Sequence, residues 1–140
     1  MKKCLSGQKG FTLIEILMVV VIISALAAMI IPRLTGRTEQ ARESIAKADV
    51  QVNIPTALKL YELDNGRYPT SEQGLQALVQ KPASDPVPSN WNGPYVESKS
   101  VVDPWGRTYV YRYPGSHGPD YDLLSLGVQG QEGDKNITNW

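Results

Sequence analysis

The sequence predicts an α+β fold in which a long N-terminal helix packs against a small antiparallel sheet, with a loop-rich C-terminus. An apolar run followed by an amphipathic stretch predicts the helix. Two short strand-like segments separated by a turn predict the sheet. Prolines and glycines between and after these elements predict irregular loops. At 140 residues, the chain has room for one domain.

The N-terminal region predicts a basic leader followed by a membrane-spanning helix. Residues 11–31 read FTLIEILMVVVIISALAAMII and contain one charged side chain, Glu15. As a helix this run would be about 31 Å long, which matches a bilayer hydrocarbon core of about 30 Å. Lys2, Lys3 and Lys9 precede the run, and basic residues keep such a segment on the cytoplasmic side. The rest of the chain is therefore predicted to be periplasmic.

Composition argues against nucleic-acid binding and against a disulfide scaffold. The chain has 14 Lys and Arg and 14 Asp and Glu, and three of the lysines lie in the first ten residues. The remainder, with 11 basic and 14 acidic side chains, is mildly acidic, unlike a nucleic-acid-binding surface. The one cysteine, Cys4, lies in the leader, so packing, hydrogen bonds or a metal are predicted to hold the domain.

Residues 33–64 predict an amphipathic helix, because apolar side chains recur three or four residues apart. Pro55 lies inside this pattern, where it cannot supply a helical N–H. The helix is therefore predicted to be kinked near residues 51–55. The predicted core stripe consists of Ala41, Ile45, Ala48, Val52, Ile54, Leu58 and Tyr61.

A helix stop and a second helix are predicted next. Asn65 and Gly66 form a dipeptide that favours a left-handed helix end. Thr70 and Gln73 have the spacing of a capping box, which predicts a short helix over about 71–80.

The remaining segments predict a packed loop and the sheet. Residues 81–96 contain four prolines, too many for regular structure, and Trp91 and Tyr95 are predicted to anchor this loop. Residues 107–113 and 121–126 are strand-like. The prediction is an antiparallel sheet of two or three strands.

Catalytic chemistry is not predicted. His117 is the one histidine and lies in a turn rich in glycine and proline, which favours a solvated loop position. Asp120 and Asp122 are two residues apart, and solvation at a strand edge is the predicted role of both. Because the sequence shows no nucleophile–base arrangement, the chain is predicted not to be an enzyme.

The N-terminal motif carries a resemblance to a known class of proteins. The residues K-G-F-T-L-I-E at 9–15, followed by the apolar run and Pro32, resemble the signal of type IV pilins and type II secretion pseudopilins. The resemblance implies that a prepilin peptidase cuts between Gly10 and Phe11 and that Phe11 is then N-methylated. It also implies that Glu15 guides subunit docking.

Two roles for Glu15 remain open at this point. A carboxylate near the end of a membrane helix can reach the headgroups. Alternatively, cleavage frees an amino group on Phe11, and this cation could pair with Glu15 of a neighbouring subunit in a helical stack.

Segments after the anchor resemble one branch of this class, the major pseudopilins of type II secretion. Type IV pilins usually close the head with a disulfide, which a chain without cysteine after the leader cannot form. The segments that carry the resemblance are YELDNGRYPTSEQGLQAL (61–78), WNGPY (91–95), DPWGRTYVY (103–111), YDLLSLG (121–127) and the final NW.

The resemblance implies a pilin-like structural subunit of three parts: a leader (1–10), a transmembrane segment (11–31) and a periplasmic head (32–140). Such subunits polymerise into a pseudopilus that helps to export folded proteins. The implied partners are further copies of the chain, minor pseudopilins, the prepilin peptidase and the inner-membrane assembly platform. The alternatives are a type IV pilus subunit for adhesion or motility and a membrane-tethered periplasmic binding or hydrolytic domain.

The resemblance also raises the question of calcium. In the type II family, the loop after S-L-G binds calcium through backbone carbonyls and two Asp side chains. The matching positions are the carbonyl of Leu126 and the side chains of Gln129 and Asn136. Calcium affinity follows the number of carboxylates, so these amides predict a weak site or none. Carboxylates of Glu132, Asp134 or Asp122 could compensate.

Overall fold

The structure, a computed structural model, describes residues 10–97 and 101–140, and the side chains of residues 30–35 lie outside that description. The chain divides after Thr38 into two compact units, the second being Glu39–Trp140, and each is described by itself. Except for Gly10, the predicted leader lies outside the described residues.

Three helical elements follow one another from Leu13 onwards: α1 at Leu13–Ala48, a π-helical segment at Asp49–Asn53 and α2 at Ile54–Asn65. Among the described residues, none of these helices combines the length and the apolar character needed to cross a membrane. The predicted span ends at residues 30 and 31, whose side chains fall outside the description.

A π-helical segment overlaps the region in which the kink was predicted, residues 51–55. The N–H of Ile54 donates to the carbonyl of Asp49, five residues back, which is the π-helical pattern. Pro55 then lies in the first turn of α2.

The predicted core stripe is correct for Ile54, Leu58 and Tyr61, which are buried, and wrong before them. Ile45 and Val52 are 54% and 58% exposed. A second set of apolar residues lies one or two positions from the predicted stripe in sequence, and these residues face the core. The wrongly predicted positions are Ala41, Ile45, Ala48 and Val52, and the buried positions that were missed are Ala46, Val50 and Ala57.

The sheet has three antiparallel strands in the order β1-β2-β3. Strand β1 is Val110–Arg112, β2 is Asp122–Ser125 and β3 is Ile137–Thr138. Tyr111 lies opposite Leu123 in the first pair, and both belong to the buried core shared with the helices. All four residues of β2 are buried, so the C-terminal segments pack around this central strand.

A tight turn precedes β1. The carbonyl of Asp103 accepts a hydrogen bond from the N–H of Gly106 at 2.9 Å, and Gly106 has a φ of +83°, which glycine adopts without steric cost. Strands β1 and β2 are each shorter than the predicted segments 107–113 and 121–126.

The helix stop and the capping box are confirmed, but the predicted second helix is wrong in extent. Gly66 ends α2 with a φ of +75°. Thr70 and Gln73 bond reciprocally, each backbone N–H to the other side chain at 3.2 Å. Regular structure is limited to a 3₁₀ turn at Leu75–Leu78, because Gly74 adopts a φ of +57° and a ψ of −165°, outside the helical region.

The proline-rich loop is packed by the two predicted anchors. The indole N–H of Trp91 donates to the carbonyl of Ala77 at 2.9 Å. The hydroxyl of Tyr95 donates to Asp64 at 2.7 Å, and its ring contacts Tyr61 edge-on, with centroids 5.6 Å apart. Long-range contacts therefore replace regular structure in this loop.

Candidate assembly site at the N-terminus and the C-terminal loop

The predicted cleavage junction is an exposed segment without regular structure. Gly10 and Phe11 both precede α1, and Phe11 is 79% exposed. A side chain built on Gly10 would meet nothing within 4 Å. The peptide bond between these residues is therefore open to an approaching peptidase in this unit.

Glu15 pairs with Thr12, the residue directly before α1. This pairing was not predicted from the sequence. The backbone N–H of Glu15 donates to the hydroxyl of Thr12 at 3.3 Å, and the backbone N–H of Thr12 reaches the carboxylate of Glu15 at 3.5 Å. This is the reciprocal arrangement of a capping box, placed where the positive end of the helix dipole favours a negative charge. The signal was visible as T-x-x-E at residues 12–15.

The first turns of α1 are apolar on every side. All eight side chains from Ile16 to Ile23 are apolar and exposed, and eight consecutive residues cover every direction around a helix of 3.6 residues per turn. The hydroxyl of Ser24 bonds back to the carbonyl of Val20 at 2.7 Å, so it offers no unpaired polar group. A surface of this kind is typical of a helix covered by lipid or by other helices.

In the C-terminal unit, two of the three residues at the predicted calcium positions, Leu126 and Asn136, take part in hydrogen bonds within the loop. The carbonyl of Leu126 accepts from the N–H of Gly130 at 3.2 Å. The amide of Asn136, oriented to satisfy both neighbours, donates to the carbonyl of Gln131 at 3.0 Å and accepts from the N–H of Gly133 at 3.1 Å. This amide thus closes a turn through one donated and one accepted hydrogen bond.

The acids that could compensate are mostly engaged elsewhere. Glu132 forms an ion pair with Arg112, and Asp122 is wholly buried in a separate cluster. Asp134 lines the same groove as Gln129. Within the described ranges, no group of three or more His, Cys, Asp or Glu side chains could hold a metal.

The donor set of the loop therefore does not fit calcium. The ion takes six to eight oxygens, and carboxylates supply most of its attraction. The predicted positions offer a hydrogen-bonded carbonyl and two neutral amides.

The prediction that Asp122 is solvated at a strand edge is wrong. Its carboxylate is fully buried and accepts from the N–H and hydroxyl of Ser116 at 3.0 and 2.7 Å. It also accepts from the N–H of His117 at 3.0 Å and lies 3.0 Å from Nδ1 of that ring. The His117 ring stacks on Trp140 with centroids 4.1 Å apart. Asp120 is exposed.

This cluster is a structural anchor, although it contains Ser, His and Asp. The Ser116 hydroxyl lies 2.7 Å from the carboxylate of Asp122 and 3.4 Å from Nδ1 of His117, and that same Nδ1 lies 3.0 Å from the carboxylate. In a catalytic triad, one ring nitrogen bonds the serine hydroxyl and the other bonds the acid, whereas here both contacts fall on Nδ1. The cluster instead fixes the 115–118 turn and places His117 against Trp140.

Burial by itself would raise the pKa of the Asp122 carboxyl, but the hydrogen bonds from Ser116 and His117 outweigh it and hold that pKa well below its usual range. Asp122→Asn is expected to lower the free energy of unfolding at pH 7 by about 1–3 kcal/mol. A depressed folded-state pKa contributes stability that is complete above the unfolded pKa, about 3.9, and is lost as the pH falls below it. The difference between parent and variant should therefore shrink as the pH falls below about 4.

Urea unfolding of the full-length chain in mild detergent, followed at pH 7 and near pH 3, measures this difference. Asp120→Asn is the matched control, because it removes an exposed carboxylate two residues away. Little change is expected from it at either pH. A loss of stability in Asp122→Asn that is equal at both pH values would contradict the proposed role of the charge.

Two family models match the chain. Residues 33–140 match the family model of the type II secretion system (T2SS), protein G. Residues 5–31 match the prokaryotic N-terminal methylation motif.

Full-length relatives agree with these matches. The chain is 50% identical over 137 residues to the type II secretion system core protein G of Pseudomonas aeruginosa, with 95% of each chain covered. It is 46% identical over 134 residues to the protein of that name from Escherichia coli, covering 95% of this chain and 91% of the relative. The structure is similar to the crystal structure of the major pseudopilin from the type 2 secretion system of enterohaemorrhagic E. coli, with a TM-score of 0.67 and 38% identity. That match covers 76% of this chain and 89% of the other.

Proposed function

This chain belongs to the type II secretion system protein G family and is a subunit of the pseudopilus, and from this premise we propose how its N-terminus serves assembly. The leader is removed between Gly10 and Phe11, and the new amino group of Phe11 is methylated. The mature chain spans the inner membrane once, with its head in the periplasm, and polymerises with copies of itself. The observation that carries this proposal is the exposed junction directly before a capped apolar helix.

The shape of the junction supports the processing step. A peptidase needs an accessible segment, and Gly10 and Phe11 are exposed and without regular structure immediately before α1. Methylation of the Phe11 amine would leave it cationic, so its pairing with a carboxylate would persist.

The apolar surface of α1 supports transfer from membrane to filament. Lipid tails and other apolar helices cover such a surface equally well, so a subunit can leave the bilayer without exposing the helix to water. The peptide groups are bonded within the helix, as a membrane environment requires. The 21 residues of the run 11–31 are long enough to span a bilayer hydrocarbon core of about 30 Å.

The proposed partners follow from this route. The prepilin peptidase acts on the junction, the inner-membrane assembly platform receives the processed subunit, and minor pseudopilins join the same filament. The proposed role is structural and not catalytic, because the Ser116–His117–Asp122 cluster is arranged as an anchor. No metal is required for this role.

The mass of the mature chain purified from membranes tests the processing proposal. We expect a chain that lacks residues 1–10 and is heavier by one methyl group. A control sample from cells without prepilin peptidase should contain the full-length, unmethylated chain. A full-length mass in secreting cells would overturn the proposed processing while leaving the family assignment intact.

A further inference from the structure

An arginine contacts the C-terminal loop at Gly127 and Gly130, which are next in sequence to the predicted calcium positions Leu126 and Gln129. Arg107 follows the turn before β1, and its guanidinium donates a hydrogen bond to the carbonyl of Gly127. Its Nε is buried without a hydrogen-bond acceptor and lies 3.9 Å from Oδ2 of Asp103. The side chain is thus held between a buried carboxylate and the loop backbone.

Asp103 connects the turn to the base of the same loop. Its Oδ1 accepts from the backbone N–H of Arg107 at 2.8 Å, and its Oδ2 accepts from the hydroxyl of Ser125 at 2.9 Å. The oxygen of that hydroxyl accepts from the N–H of Gly127 at 3.1 Å. Gly127 is therefore held through its N–H by Ser125 and through its carbonyl by Arg107.

The loop approaches the guanidinium closely at Gly130. A Cβ added at Gly130 would lie 2.8 Å from Nη1 of Arg107, well inside van der Waals contact. Gly130 also has a φ of +70°, so both its backbone conformation and its contact favour a residue without a side chain. The guanidinium therefore lies against the loop at Gly127 and at Gly130.

We propose that the Arg107 guanidinium is a built-in cation that holds the 126–136 loop closed in place of a bound calcium ion. A guanidinium stays charged at every physiological pH and presents a planar set of donors. It satisfies a loop carbonyl without needing new carboxylates, which accounts for neutral Gln129 and Asn136 at the predicted ligand positions. Folding of this subunit is then independent of calcium.

Hydrogen exchange on the full-length chain in detergent tests the contact. Arg107→Met, which keeps the length of the side chain and removes its charge and donors, is expected to speed exchange of the 126–136 amides roughly tenfold or more. Arg67→Met is the matched control, because Arg67 also donates to a loop carbonyl, that of Pro86, at 3.0 Å. It should leave the 126–136 amides unchanged. Unchanged exchange in Arg107→Met would overturn the proposal.

A double-mutant cycle separates the contact from backbone strain. Gly130→Ala and Gly66→Ala place a side chain at similar positive φ values, +70° and +75°, but a Cβ at Gly66 meets nothing within 4 Å. Gly130→Ala should lower the melting temperature more than Gly66→Ala does in the parent. The two should become similar when Arg107 is replaced by Met. If the difference in melting temperature between Gly130→Ala and Gly66→Ala is the same in the parent and in the Arg107→Met background, contact with Arg107 is not the cause, and the proposal is overturned.

Calcium chloride and a chelator give the third readout. The unmodified chain is expected to melt at the same temperature in both, and a rise with millimolar calcium would overturn the proposal. In the triple variant Arg107→Met, Gln129→Asp, Asn136→Asp, calcium should slow exchange of the loop. The double variant that keeps Arg107 should respond less, because the guanidinium repels the ion. Equal calcium responses with and without Arg107 would also overturn it.

Discussion

Gly10→Val is expected to abolish processing, so that only the full-length chain accumulates in the inner membrane and secretion stops. The described residues give no steric reason for such a loss, because a side chain on Gly10 meets nothing within 4 Å. A branched side chain would instead block the peptidase cleft, for which only a small residue is expected before the cut. The effect is all-or-none, since no alternative junction of basic leader and apolar helix exists in the sequence.

Immunoblots and mass measurement distinguish full-length from mature chain in Gly10→Val. Gly36→Val is the matched control, because Gly36 is also exposed and also has open space around it. It should be processed at the parental rate. Because valine has a higher helix propensity than glycine, the change does not weaken α1. Normal processing and secretion in Gly10→Val would contradict the assigned junction.

Features set by neighbouring residues could be predicted from the sequence. Gly66 ends α2 and Thr70 pairs with Gln73, because each depends on residues three or four positions apart. The break before Pro55 has the same local origin. The N-terminal motif at Gly10 and the long segments after the anchor were specific enough to indicate the family.

Features set by distant contacts could not be predicted in the same way. Whether Val50 or Val52 faces the core depends on where the sheet lies, and both positions fit an apolar helical line. A two-residue strand such as Ile137–Thr138 is too short to show an alternating pattern. The burial of Asp122 depends on the 115–118 turn folding back over β2, which its spacing from Asp120 does not reveal.

Glu15→Leu is expected to separate membrane insertion from filament assembly. Removing a carboxylate from a membrane helix favours insertion, by up to about 2.5–3.5 kcal/mol at the centre of the bilayer and by less near an end. Assembly should nevertheless fail, because the amine of Phe11 in a neighbouring subunit would lose its anionic partner. Membrane fractionation measures the first effect, and crosslinking of subunits in the filament measures the second.

The capping box gives a second explanation for such a failure, and Glu15→Gln distinguishes the two. Glutamine serves at this capping-box position as glutamate does, so Glu15→Gln keeps the hydrogen bonds with Thr12 and removes only the charge. Thr12→Ala does the reverse, since it removes the hydroxyl that accepts from the N–H of Glu15 and keeps the carboxylate. The cost of that change is about 0.5–2 kcal/mol of helix stability, which is small for a helix of 36 residues.

If the charge guides docking, Glu15→Gln should lose filaments as completely as Glu15→Leu, while Thr12→Ala should still form them. The reason is that a neutral amide cannot match the cationic Phe11 terminus of the next subunit in a medium of low dielectric constant, where an unpaired charge is costly. The opposite pattern, with filaments from Glu15→Gln and none from Thr12→Ala, would show that Glu15 supports assembly by capping the start of α1 and not by its charge. Normal filaments from Glu15→Leu would contradict both explanations and leave contact with the lipid headgroups as its function.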